Sequence, residues 1–163
     1  MNAADVLKYG HQTVVHTVDG LSAAHWSTPG VCGWWSVKDI MAHLASFEQL
    51  LIDVLNSMQG QGPTPTLDKF GQGQQQFNDL EVEARRRQTI DQVWAEYNNA
   101  FAQTTELLAR IPADRHRLQG ALPWYGAEYD LEDFIVYTFY GHKREHSAQI
   151  AIFRDQLETA VEL

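Results

Sequence analysis

Three histidines are the residues best suited to chemistry. His142 and His146 stand four apart in "GHKREHSAQI" (141–150), and His43 lies in "WSVKDIMAHLASFE" (35–48). At about 100° per residue, a helix brings His142 and His146 within about 40° of each other, on the stripe that carries Ile135, Phe139 and Phe153. The same geometry sets His43 at the edge of a stripe made by Ile40, Phe47 and Val54. All three imidazoles are expected to face the interior. A buried ring left without a hydrogen-bond partner costs about 1–3 kcal/mol, which a leucine there would avoid. Three neutral imidazoles meeting at one divalent ion remove that penalty, and they leave coordination positions open for water or substrate. Singly, each would be an ordinary core or rim histidine; the metal reading rests on the three together.

Each polar neighbour has two readings. Asp39, one turn before His43, could accept the free ring N–H or could cap the helix with Ser36. Gln149 shares the face of His142 and could bond a ligand or water, or sit at the edge of the core. Glu145 could act as an outer carboxylate or proton acceptor, or belong to a solvated Lys143-Arg144-Glu145 face. "HKREH" also matches H-x-x-E-H, an inverted zinc-peptidase pattern, but the seventeen residues after His146 leave little chain for a further ligand and a substrate lobe. Tyr137, Tyr140, Trp34, Trp124 and Tyr125 could line a pocket mouth or pack the core. His11, His16, His25 and His116 fit no cluster and are expected at the surface. Cys32, the single cysteine, excludes an intrachain disulfide and lacks a neighbouring base, so it reads as an inert thiol.

The elements that must position the histidines are helical. Apolar residues recur at three and four spacing, with no sustained period-two alternation. A first helix runs from Ala3 to about Gly20. The second starts at Ser36, where Ser36 and Asp39 form a capping box, and continues to Met58. A connection follows from 60 to about 88, with room for a short helix. The third helix spans about Thr89 to Arg110, and the fourth runs from about Asp130 to Glu158. This is an all-α pattern, expected as a four-helix bundle in a single domain over 1–163; the long connection between the second and third helices would let those two run parallel.

Composition narrows the partners. Twelve Lys and Arg against twenty-one Asp and Glu give a net charge of −9, which disfavours nucleic acid. The one basic run, Arg85-Arg86-Arg87, follows Glu81 and Glu83 and reads as a solvated helix face. No signal-peptide pattern and no bilayer-length apolar run occurs, so a cytoplasmic protein without a membrane partner is expected.

The sequence resembles the DinB superfamily, which includes the mycothiol-dependent maleylpyruvate isomerase N-terminal domains. "WSVKDIMAHLASFE" carries the Trp-Ser/Thr-x-x-Asp-apolar-x-x-His pattern, and "GHKREHSAQI" carries His-x-x-x-His followed by Gln and an apolar residue. The resemblance implies an up-down-down-up four-helix bundle and a divalent metal, zinc or nickel foremost, on His43, His142 and His146. It also implies transferase or isomerase chemistry with a low-molecular-weight thiol cosubstrate such as mycothiol, bacillithiol or glutathione. The ClbS and DfsB branch is similar in layout and in the "LPWYG" stretch, but its typical members lack the three histidines and act in self-protection. The expected function is thus a metal-dependent enzyme that transfers a thiol to, or hydrolyses, a small electrophilic substrate. The alternative is a non-enzymatic binder of a small molecule. Homodimers are common among similar proteins and are compatible with this reading.

Overall fold

Capping residues fix where the helices begin in the computed structural model, which describes residues 2–161. The helix α1 (Ala3–Val18) starts at Asn2, whose side chain accepts from the Asp5 amide at 3.0 Å. A single turn, α2 (Ala23–Trp26), precedes the long α3 (Val37–Met58), which opens with the reciprocal Ser36–Asp39 capping box. Two shorter helices follow, α4 (Pro65–Gly71) and α5 (Gln74–Ala84). Next come α6 (Ile90–Ala109), capped reciprocally by Thr89 and Gln92, and the turn α7 (Ala113–His116). The last rod is composite: α8 (Leu131–Ile135) starts in an Asp130–Asp133 capping box, passes into a π-helical turn over Val136–Gly141, and continues as α9 (His142–Val161).

The fold is all-helical, with no strand among the described residues. At its centre is α3, on which α2, α4, α5, α6 and α9 all pack. That explains why Val37, Ile40, Leu44, Leu50, Leu51, Val54 and Leu55 are all sealed from solvent, and why α3 is apolar around most of its circumference. The Lys38 ammonium donates to the Arg86 carbonyl at 3.0 Å, and Arg115 donates to the Met58 carbonyl at 3.4 Å. The start of α3 thus lies beside the entry to α6 and its end beside the exit, so these two helices run in the same sense. Among the described residues no helix is long and apolar enough to cross a membrane.

The connection at 60–88 is more ordered than the sequence indicates. Its Gly and Gln content obscures α4, which is held from outside: the Asp53 carboxylate of α3 accepts from the Thr66 and Leu67 amides at 2.6 and 3.1 Å. The basic run also needs correction. Arg85 is buried, not solvated, and its guanidinium is shared between Glu81 (2.7 Å) and Glu96 (2.7 Å). Arg86 and Arg87 do face solvent.

The apolar interior forms two clusters, one containing Leu7, Leu50, Leu107, Phe134 and Phe139, the other Val14, Ile40, Leu44, Val93 and Ile150. Between them, α1, α3 and α9 each contribute polar residues. Lys143 is 2% exposed and ion-paired with Glu48, which is wholly buried. The Lys143 ammonium also sits 5.5 and 5.4 Å from the Tyr97 and Phe101 ring centres, and Glu48 accepts from the Thr104 hydroxyl at 3.3 Å. Lys143 is therefore an interior residue, contrary to the solvated face expected of it. Gly10 of α1 makes room: a side chain there would begin 3.4 Å from both Lys143 and Tyr140. His11 is likewise not a surface residue, because its ring stacks on Phe101 at 3.8 Å and 3°. Burial, with the Lys143 charge adding to it, lowers the His11 pKa to about 4, opposed by the hydrogen bond that the protonated ring can donate to the Asn98 side chain.

Candidate metal centre

His43 sits on the second turn of α3, His142 opens α9 where the π turn ends, and His146 follows one turn later. The π turn ends directly before His142, and such turns are frequent at functional sites. The His43 and His142 Nε2 atoms are 2.8 Å apart, and those of His142 and His146 are 3.0 Å apart. One ligand atom from each of the three can be chosen so that all lie within 4.8 Å of one another.

Burial governs the charge state. It lowers the His43 pKa to about 2, helped by the neighbouring His142 and His146 rings. It lowers His142 to about 3, helped by His146 and Lys143 and opposed by a hydrogen bond to the Thr138 backbone. His146 is lowered by burial too, against its bond to Gln149 and the charge of Glu145. Neutral imidazoles are the form that ligates metal. The second nitrogens are partly committed: His146 Nδ1–H donates to the Gln149 Oε1 at 2.8 Å, which leaves Nε2 with the lone pair. His43 Nδ1 is buried with no partner.

These residues fit a divalent ion. At metal–nitrogen bonds of about 2.0–2.1 Å, two imidazole nitrogens on one ion stand about 2.8–3.4 Å apart, from octahedral to tetrahedral angles. The His43–His142 and His142–His146 spacings fall in that range, and all three ligand atoms lie within 4.8 Å of one another. Trp35 closes one side, its ring 4.9 Å from His43 and 6.3 Å from His146. Phe47 closes another, 4.8 Å from His43 and 4.5 Å from His142. His142 alone of the three borders a cavity of about 380 Å³, whose lining includes Phe47, Phe70, Tyr125, Phe134, Tyr137 and Glu145. A larger hollow of about 580 Å³ at Trp26, Thr89 and Trp94 has no histidine in its lining.

The other candidates separate clearly. Asp39 does not bond His43: its Oδ2 accepts from the Ser36 amide at 2.9 Å and the Ser36 hydroxyl at 2.8 Å, so it is a capping acid. Gln149, open in the sequence to a ligand-binding or a core-edge role, is half-buried and bonds the His146 ring. Glu145 is exposed at the cavity, beside His146. Tyr125 and Tyr137 line that cavity; Trp124 packs on Phe134 at 5.3 Å, Tyr140 sits under Arg144, and Trp34 lies under Arg86. Cys32 is half-buried and bridged through its backbone to Trp35, with a free thiol. His16 is exposed, whereas His25 and His116 are half-buried. Sequence reasoning missed Trp35 as a wall of the site. Its place just before the Ser36 cap, where an apolar residue folds back onto the first helical turns, was the available signal.

Comparison with known proteins agrees with this architecture. A crystal structure of a Streptococcus pneumoniae protein from a structural genomics programme superposes with a TM-score of 0.79, at 11% identity, covering 95% of this chain and 91% of that one. At that identity the likeness is one of fold. No match is found among curated proteins. The family model of the mycothiol maleylpyruvate isomerase N-terminal domain matches residues 7–132, a stretch that includes His43 and stops before His142 and His146. The chain therefore belongs to the mycothiol maleylpyruvate isomerase N-terminal domain family and has the DinB-like helical fold that its two motifs resemble.

Proposed function

We propose that this protein is a metal-dependent enzyme acting on a small electrophile, with a divalent ion, zinc or nickel, held by His43, His142 and His146. The observation that carries this reading is the convergence of three neutral imidazoles from two helices, His43 and His146 buried and His142 half-buried where it borders an open cavity. A divalent ion in that position supplies the charge that makes a water or a low-molecular-weight thiol nucleophilic near neutral pH. The chain's own groups do the rest. Gln149 fixes the His146 tautomer, and Trp35 and Phe47 keep water from the sides of the triad. Glu145, exposed at the cavity, is placed to accept the proton that an incoming nucleophile gives up. Thiol transfer and hydrolysis both use this arrangement.

The test is metal analysis of untagged protein purified without oxygen, repeated on His142→Ala. About one equivalent of a divalent metal in the parent and none in the variant is expected; a parent without stoichiometric metal ends the proposal. Incubation with a thiol and an electrophile then distinguishes turnover from sequestration, because a binder stops after one equivalent.

A further inference from the structure

The cavity beside His142 pairs aromatic walls with polar groups that carry no positive charge. Phe47, Phe70, Tyr125 and Phe134 offer aromatic surface, and Tyr137 joins them while 62% exposed. The one carboxylate in the lining is Glu145, and among the described residues no lysine or arginine lines the cavity. The basic residues adjacent in sequence to the lining are engaged elsewhere. Lys69 pairs with Glu81, Lys143 with Glu48, and the Arg144 guanidinium lies 5.6 Å from the Tyr140 ring centre. A net charge of −9 adds a repulsive background for anions. Two amides, Gln74 and Asn78, also line it, and the Asn78 Oδ1 is buried with no hydrogen-bond partner. An incoming polar group that bonds this amide relieves that deficit.

We propose that this cavity takes an uncharged, ring-bearing substrate with an amide-like hydrogen-bonding group, and rejects a carboxylate of the same size. A volume of about 380 Å³ suits a molecule of one or two rings. Such a ring packs on the aromatic faces while its polar end reaches Asn78 or Gln74. A carboxylate loses its hydration on entry, finds no protein cation, and meets Glu145. Discrimination of this kind comes from the unfavourable contact as much as from the favourable one. The proposal deepens the metal-enzyme reading, since the same cavity leads to His142, but its test does not need the ion.

Benzamide and benzoate are matched probes, titrated by calorimetry and by protein NMR into the protein as purified and after chelation. Benzamide should bind both forms alike, shifting Tyr125 and Phe134 resonances. In the chelated form it should bind at least tenfold tighter than benzoate. Glu145→Gln should narrow that gap severalfold, and Asn78→Asp, which keeps the side-chain shape, should widen it. Benzoate binding the chelated protein as tightly as benzamide, or benzamide failing to shift the cavity resonances at millimolar concentration, overturns the proposal. Because the deciding comparison of benzamide with benzoate is made on chelated protein, it stands apart from the metal analysis, and either result can fail alone.

Discussion

Replacing Lys143 by methionine tests how the polar layer holds α3 to α9. Methionine fills much of the same space but leaves Glu48 charged and alone at 0% exposure. Removing one partner of a buried pair costs about 3–5 kcal/mol, because the remaining charge has lost both water and counter-charge. The loss of two aromatic contacts to the ammonium acts in the same direction. For a chain of this length each kcal/mol lowers Tm by about 2–4 °C, so a fall of roughly 6–20 °C is expected. Urea unfolding of chelated protein, followed by circular dichroism, gives the free energy without a contribution from bound metal. The double variant Glu48→Leu/Lys143→Met is the control. Desolvating two charges offsets most of their attraction, so an apolar pair there should recover to within about 2 kcal/mol of the parent or exceed it. A single variant costing under about 1 kcal/mol, or a double variant no better than the single, would refute the account of this pair as a buried charge couple.

Gln149→Leu should weaken metal binding by about 10–100-fold in a chelator competition while leaving metal-free stability almost unchanged; equal affinity would remove the glutamine's orienting role. Asp39→Ala should lower stability by about 1 kcal/mol and leave metal affinity intact, whereas a tenfold loss of affinity would place that carboxylate at the site. Acid titration has a worked sign. Burial alone would raise the Glu81 pKa, but hydrogen bonds and charge from Arg85 and Lys69 outweigh it and hold the value below 4.5. Its contribution is complete above pH 4.5 and lost as pH falls through the lower folded value, so Glu81→Gln should flatten the stability profile there. His11, with its pKa lowered from 6.5 to about 4, binds its proton earlier in the unfolded chain, so stability falls as pH drops through that window. His11→Phe should make that segment less steep without levelling it, because His43, His142 and His146 are lowered by burial too, and an unaltered slope would mean that His11 adds nothing to it.

The triad was legible because its signals are local: His142 and His146 stand four positions apart, and the Ser36–Asp39 cap fixes the phase of His43. Periodicity also located α1, α3, α6 and the composite last rod within a few residues. What escaped depends on contacts distant in sequence. Lys143 looks solvated beside Arg144 and Glu145, and only Glu48 from α3 and the bare backbone of Gly10 explain its burial. His11 and Arg85 were misplaced for the same reason, since Phe101 and Glu96 lie on another helix. Asp39 had two roles open in the sequence, and its hydrogen bonds choose the cap. Uniform winding was assumed through 130–158, which hid the π turn.

That turn lets the last rod carry one residue more than ordinary winding would need between the same two faces. Six residues (136–141) at about 80° each rotate the chain through nearly the same angle as five at about 100°. Deleting one of them and restoring α winding would therefore leave His142 and His146 turned toward His43. In two aligned chains with identical histidines, a one-residue gap here marks a lost bulge and not a lost ion cradle.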